Sequence, residues 1–511
     1  MREYRVPGKG GRLKKHDIHT RWGLGILAAA MTLVPLSAVA LGQFTDPAPP
    51  QVHEIRAEKP QATAQEGLIF HAAPRELAAD AVTGDWPWLL GPGHNNRSTE
   101  TKLLAELPPK GPAMVWEVPR GSAYAAPSVA EGRIVQFHRV GDDEIAECLD
   151  AQTGRQFWRV AYPVIYTDRY GYSDGPRCSP VIDGDRVYTY GVTGTLQCLD
   201  FASGQVVWRR SILKEFKLST NFFGVGSAPL VDGDLLIVNV GAQPGTDSPT
   251  VVGFDKKSGK MVWGAGTKYG ASYATPIPAE IQGKRRVLVF AGGESTPPTG
   301  GLMCIDPANG KVDFEFDWRS RTRESVNASS PVVIGNRIFI SECYGRGSVL
   351  IEIQPNFTPK VVWENEDFGT HFMTSVYHDG YFYGIHGHGP LDNELVCLDA
   401  ATGKIMWRLE PHWDEEITRN NIPQKIDFEL NRSQLVFADG KALCLTENGH
   451  LLWLDLNPKG YRQLSRAFLF AGEEGWTPPV LSHGLLYVCR NTRDALTGAP
   501  PRLICYDLRG P

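Results

Sequence analysis

His386 and His388 flank a glycine, and Asp392 and Glu394 follow within a few residues. Two imidazoles two positions apart fall on one side of an extended segment, an arrangement that suits Zn2+ or Cu2+. Spacing alone fixes no third ligand beside the pair, so a solvated loop is the favoured reading and no metal is assigned. The run Gly292 to Gly301 is rich in glycine but lacks the Lys and following helix of a phosphate loop, so it reads as an inter-strand loop. His-Glu-x-x-His does not occur, and no catalytic residue is assigned.

The elements that must position any site are set by a repeat. Asp, three residues, Gly, three residues and an aromatic recur at Asp150…Gly154…Trp158, Asp200…Gly204…Trp208, Asp255…Gly259…Trp263, Asp306…Gly310…Phe314 and Asp399…Gly403…Trp407. Degenerate copies stand at Lys360 to Trp363 and at Asp455…Gly460…Leu464. Apolar alternating runs such as Arg186 to Tyr190 precede the motif and read as strands. Asp183-Gly184, Asp232-Gly233 and Asp379-Gly380 separate such runs, a hairpin signal because Gly supplies positive φ. Four antiparallel strands per unit of about 40 to 50 residues make a propeller blade.

Innermost strands open near Pro127, Pro180, Pro229, Pro276, Pro331, Thr374, Gln434 and Pro479, which gives an all-β, eight-bladed β-propeller. The last unit stops at Asp507 without an outer strand, while Pro112 to Trp116 has an outer-strand sequence and no blade before it. The N-terminal strand is therefore expected to complete the C-terminal blade and leave no sheet edge open. The repeat aromatics Trp116, Trp158, Trp208, Trp263, Phe314, Trp363 and Trp407 are assigned to packing between blades.

In such a blade the first-to-second and third-to-fourth turns share one end of the propeller, and here they are short. The second-to-third and blade-to-blade connections share the other end and are long, as at 161–177, 211–226, 315–327, 410–430 and 491–501. Long loops on a rigid scaffold are where binding concentrates. Residues leading into the innermost strands at that end would ring the channel mouth: Tyr124, Arg177, Tyr273, Asn327, His371 and Trp476. Aromatics mixed with Arg, Asn and His suit a polar ligand or a peptide; the alternative is a water-filled channel capped by packing aromatics.

A net charge of −5 provides no basic field for nucleic acid. Residues 1–21 are basic, and the apolar run Trp22 to Leu41 ends in the small-x-small pattern Ala38-Val39-Ala40. Residues 1–42 thus read as a signal peptide or an inner-membrane anchor through 22–41, 43–84 as a flexible Pro- and Ala-rich linker, and 85–511 as the propeller. Export to the periplasm or cell envelope follows from either reading of the apolar run. Of nine cysteines, Cys148, Cys198, Cys304, Cys397 and Cys505 occupy equivalent third-strand positions, too far apart across blades to be bridged. Cys178, Cys343, Cys444 and Cys489 leave room for one pair.

The segment Cys397 to Trp407, Cys-Leu-Asp-Ala-x-Thr-Gly-Lys-x-x-Trp, resembles the repeat of the pyrroloquinoline-quinone (PQQ) quinoprotein propellers. That superfamily includes PQQ-dependent alcohol dehydrogenases and the non-enzymatic, BamB-like propeller proteins of the bacterial envelope. Gly175 to Ile182 and Trp86 to His94 resemble exported bacterial propellers of the same kind. The dehydrogenase resemblance implies a vicinal Cys-Cys disulfide, a Ca2+ held by Glu and Asn oxygens, and an Asp base. The chain has no Cys-Cys dipeptide; Glu324 and Asn327 could offer oxygens, but no nearby Asp completes the set. The expectation is a monomeric, non-catalytic binding or scaffolding module without cofactor, with an envelope protein or extracellular ligand as partner. The alternatives are a PQQ- and Ca2+-dependent oxidoreductase with an atypical site, or a carbohydrate- or polymer-binding propeller.

Overall fold

The computed structural model describes residues 66–511, apart from 244–245, 296, 390–391 and 420–421. The apolar run 22–41 and the first part of the expected linker lie outside the described residues. Eight sheets of four antiparallel strands follow one another: blade 1 (128–163), blade 2 (181–211), blade 3 (230–265), blade 4 (277–317), blade 5 (332–365), blade 6 (376–409), blade 7 (434–468) and blade 8 (480–507). Blade 8 takes its outer strand from Ala113–Pro119, which pairs antiparallel with Arg502–Asp507 and sets Trp116 opposite Cys505. A further two-residue strand, Ile69–Phe70, pairs with the outside of that strand, and the Arg75 guanidinium bonds Asp507 at 2.8 Å. Residues 66–84, expected as linker, are therefore laid partly along blade 8.

The repeat motif works at the seams between blades. Asp150 Oδ1 accepts bonds from the Thr153 amide and hydroxyl at 2.8 and 2.9 Å, which shapes the turn, and Gly154 follows at φ +70°. The Trp of one blade lies over the Gly of the next. A Cβ on Gly204 would sit 2.6 Å from the Trp158 ring, and one on Gly403 would sit 2.5 Å from the Trp363 ring. Each indole N–H then donates to a backbone carbonyl of the next blade: Trp116 to Ala151 at 3.0 Å, Trp158 to Phe201 at 2.9 Å, Trp263 to Pro307 at 2.9 Å and Trp407 to Asn457 at 2.8 Å. A register shift stands just before the aromatic in each of these outer strands and turns the ring toward its neighbour.

Two departures from the sequence reading concern connections. The stretch 410–430, expected as a loop, forms an antiparallel hairpin of His412–Arg419 with Ile422–Glu429. Trp413 and Ile417 alternate on its buried side, and Trp413 packs against the buried His450 ring at 5.1 Å. Second, residues 85–100 form a strap across the short-turn end of the channel. Trp86 exchanges two 2.9 Å backbone bonds with Val129 of blade 1, and Pro87 accepts from Ile182 of blade 2. Further along, Asn96 accepts from Phe437 of blade 7, Arg97 donates to Tyr377 of blade 6, and Glu100 accepts from His483 and Gly484 of blade 8. These bonds satisfy innermost strand edges that a bare channel would leave to water.

Trp158→Ala should cost about 3–5 kcal/mol, whereas Trp158→Phe, which keeps a ring at the seam but loses the N–H and part of the indole's volume, should cost less. Gly204→Ala should be strongly destabilising in the native background and much less so beside Trp158→Ala, since the ring it would strike is gone. Urea unfolding of the four proteins measures that coupling.

His94 packs 4.7 Å from Trp88 in the strap, and burial together with the charge of Arg285 lowers its pKa from 6.5 to about 4. Between those values the unfolded chain binds the extra proton, so His94 contributes stability above pH 6.5 that is lost as pH falls toward 4. The urea midpoint should decline over that interval, and His94→Gln should make the decline shallower. An unchanged slope would remove His94 from the account.

Candidate functional site

At the long-loop end the segments leading into the innermost strands are stitched blade to blade. Ala126 N donates to Ser179 Oγ at 3.0 Å, Thr275 N to Ser330 Oγ at 3.0 Å, Ser330 N to Thr374 Oγ1 at 2.9 Å, and Thr477 Oγ1 to the Tyr124 carbonyl at 3.1 Å. Small hydroxyl residues just before these strands reach the adjacent blade. This stitching holds the residues that precede each strand around the axis.

Four of the six expected mouth residues are joined by ring contacts. Tyr124 lies 5.0 Å from Trp476, which lies 5.2 Å from Phe372, whose ring stacks on His371 at 3.8 Å. In the other direction Trp476 meets Tyr172 at 5.4 Å, Tyr172 meets Phe223 at 5.9 Å, and Phe223 meets Tyr273 at 6.1 Å. Arg177 lies 5.8 Å from the Tyr124 ring and joins this group by its charge. Asn327 stands apart from the rings: its carbonyl accepts from Ala274 N, and its buried carboxamide has no hydrogen-bond partner.

Burial decides how these groups behave. Trp476 is 8% exposed, His371 5% and Asn327 1%, so the mouth is filled by packed side chains. Burial, then the charges of His388 and Arg432, hold His371 well below its usual pKa, and it is neutral. Burial raises the Glu474 carboxyl, which accepts the Tyr124 hydroxyl at 2.5 Å. Trp476 Nε1 donates to Glu447 at 2.7 Å, and the Arg432 guanidinium lies 4.6 Å from its ring. What solvent meets instead is the loop above, where Ile165 is 98%, Tyr170 49% and Tyr172 41% exposed. Arg177 anchors that loop through Asp168 at 2.8 Å and the Ser173 carbonyl at 2.7 Å, while Asp168 Oδ1 accepts the Tyr170 and Tyr172 amides. The density of aromatics over 161–177 is the sequence signal for this exposed group.

The remaining candidates do not assemble. His386 Nδ1 accepts from Gly369 N, whereas the His388 ring faces Tyr344 and His371 at 4.6 and 4.8 Å. Among the described residues no group of three His, Cys, Asp or Glu side chains is placed to hold a metal. Glu324 is exposed and Asn327 buried, so the two do not converge, and all nine cysteines are buried thiols. The donor set implied by the dehydrogenase resemblance is not matched by these residues. The pattern Gly-x-Ser-x-Gly is present at Gly171 to Gly175, but it lies in a blade-to-blade loop, and no His is among the hydrogen-bond partners found for Ser173.

Eight four-stranded blades, with an indole laid over a glycine at five of their seams, define a quinoprotein-type propeller. The profile of the family described as outer membrane protein assembly factor BamB matches residues 141–409, more than half of the chain, and the chain belongs to that family. It is 25% identical over 315 residues to outer membrane protein assembly factor BamB of Burkholderia pseudomallei, covering 56% of this chain and 68% of that one. It is 23% identical over 352 residues to the quinohemoprotein alcohol dehydrogenase ADH-IIG of Pseudomonas putida, covering 65% of this chain and 46% of that one. The chain thus spans less than half of that dehydrogenase. Among solved structures, BamB from Moraxella catarrhalis aligns with TM-score 0.50 and 16% identity over 78% of this chain and 99% of that one. A europium-containing methanol dehydrogenase aligns with TM-score 0.57 and 11% identity over 83% and 98%. Those two likenesses establish the fold.

Because Trp476 is buried, Trp476→Ala should lose about 3–5 kcal/mol of stability, and Arg177→Ala should release the loop that its bonds to Asp168 and Ser173 anchor. Hydrogen exchange at the Tyr170 and Tyr172 amides should rise sharply in Arg177→Ala, with the blade strands unchanged.

Proposed function

We propose that this chain is an exported, non-catalytic propeller that binds a protein partner in the cell envelope through its long-loop face. The observation that carries this reading is the filled mouth: packed rings occupy the axis, while Ile165, Tyr170 and Tyr172 stand exposed above them on an anchored loop. Exposed apolar and aromatic groups on a rigid support are the usual anchors of an interface. Export is supported by the basic flank and apolar run of residues 1–41 and by the outer-membrane assembly relatives. The second reading, a PQQ-dependent oxidoreductase, is favoured by the quinone-dependent alcohol dehydrogenases among the relatives. Against it stand the unmatched donor set and the absence of an adjacent cysteine pair.

The test compares capture of envelope proteins by the native chain and by an Ile165→Asp variant at the 98%-exposed position. Capture should be lost in the variant with the melting temperature unchanged, and retained when the exposed Lys257 and Lys404 at the short-turn end are reversed to Glu. Dye-linked alcohol oxidation on addition of PQQ and Ca2+ would replace this reading by the second.

A further inference from the structure

Away from the axis, the same end of the propeller carries a cleft of about 810 Å3. It is formed where the blade 3-to-4 connection (Lys268), the blade 4-to-5 connection (Asp317 to Thr322) and the blade 5 loop at Arg346 meet. The volume is that of a site for a small organic molecule. Lys268, Arg319, Arg321 and Arg346 line it with Asp317 and Glu366, and Glu342 and Glu364 contact two of the cations from outside the lining.

The partners of these groups show which charge is left over. Lys268 is held by Asp317 at 2.5 Å, and Arg346 lies 4.3 Å from the Trp318 ring with Glu364 at 3.1 Å. Arg319 is buried: Nη2 donates to the Ser325 carbonyl at 2.7 Å, while Nε and Nη1 have no hydrogen-bond acceptor and the ion-pair contact to Glu342 is 3.4 Å. The Trp318 indole N–H likewise has no acceptor. Arg321 is exposed and makes no ion pair among the described residues. Arg346 covers Trp318, which is 2% exposed, so that ring offers no open face for a sugar to stack on. The unpaired Arg321 guanidinium and the open N–H groups of Arg319 and Trp318 call for an acceptor-rich occupant, and an oxyanion supplies acceptors together with the opposite charge that Arg321 lacks.

We infer that this cleft binds a small oxyanionic ligand, a polycarboxylate or a phosphate ester, held chiefly by Arg321 and Arg346. Guanidinium groups match both anions through paired N–H···O bonds. The inference is independent of the protein-binding reading, which concerns the loop before blade 2. Calorimetric titration of the full chain with citrate and with inorganic pyrophosphate at low ionic strength tests it. At least one probe should bind, and added salt should weaken it. Losing one charged contact should weaken binding by about tenfold to a hundredfold. Arg321→Glu, a surface change, should do this with the melting temperature unaltered, and Arg346→Lys should retain more affinity than Arg346→Ala. Binding of citrate alone assigns a carboxylate ligand, and of pyrophosphate alone a phosphate. Failure of both probes at millimolar concentration, or binding indifferent to Arg321→Glu and Arg346→Ala, overturns the proposal.

Discussion

An indole laid on a glycine holds this molecule together. The ring of one blade fills the space where the next blade would otherwise carry a Cβ, and its N–H bonds a carbonyl in the same turn. Three requirements follow. The glycine must be bare and able to adopt positive φ. The aspartate before it must fold the turn, and the outer strand must be bulged so that the ring leaves its own sheet. The seams with weaker residues show how much tolerance exists: Phe314 gives the ring without the N–H, and Leu464 packs into the neighbouring core as an aliphatic group.

Because each seam uses residues at fixed spacing, the blade count and strand order were legible in the chain. Asp, Gly and Trp at constant intervals demand a periodic structure, and the Asp-Gly turns mark the hairpins. The strap at 85–100 was not legible, since it is held largely by backbone bonds to strand edges that almost any residue type could make. The hairpin at 412–429 was obscured by its charged outer positions, although Trp413 and Ile417 carry the alternation. At the candidate site, strand register was enough to bring Tyr124, Tyr273, His371 and Trp476 to the axis. Their burial was not readable, because it depends on Phe223, Phe372 and Tyr172 arriving from other loops.

Function in this fold is therefore a matter of what the loops do with a mouth that the scaffold always provides. Here aromatic groups close it and a neutral His371 lies within the packing, while charge is placed to the side, around Arg321 and Arg346. Exposed apolar groups and charged groups are thus separated on one surface and can be altered independently.

The order of attachments along the N-terminal segment has a mechanical consequence. From residue 66 onward the chain meets blade 8 at Ile69–Phe70, then Arg75 on Asp507, then the strap bonds, and only afterwards the closing strand Ala113–Pro119. A pull entering at residue 66 is carried by these attachments in series, each unloaded until the one before it yields. The first attachment to feel tension is thus the two-residue pairing on the outer side of the closing strand, and along the chain the pairing of that strand with Arg502–Asp507 is reached only after the strap has given way.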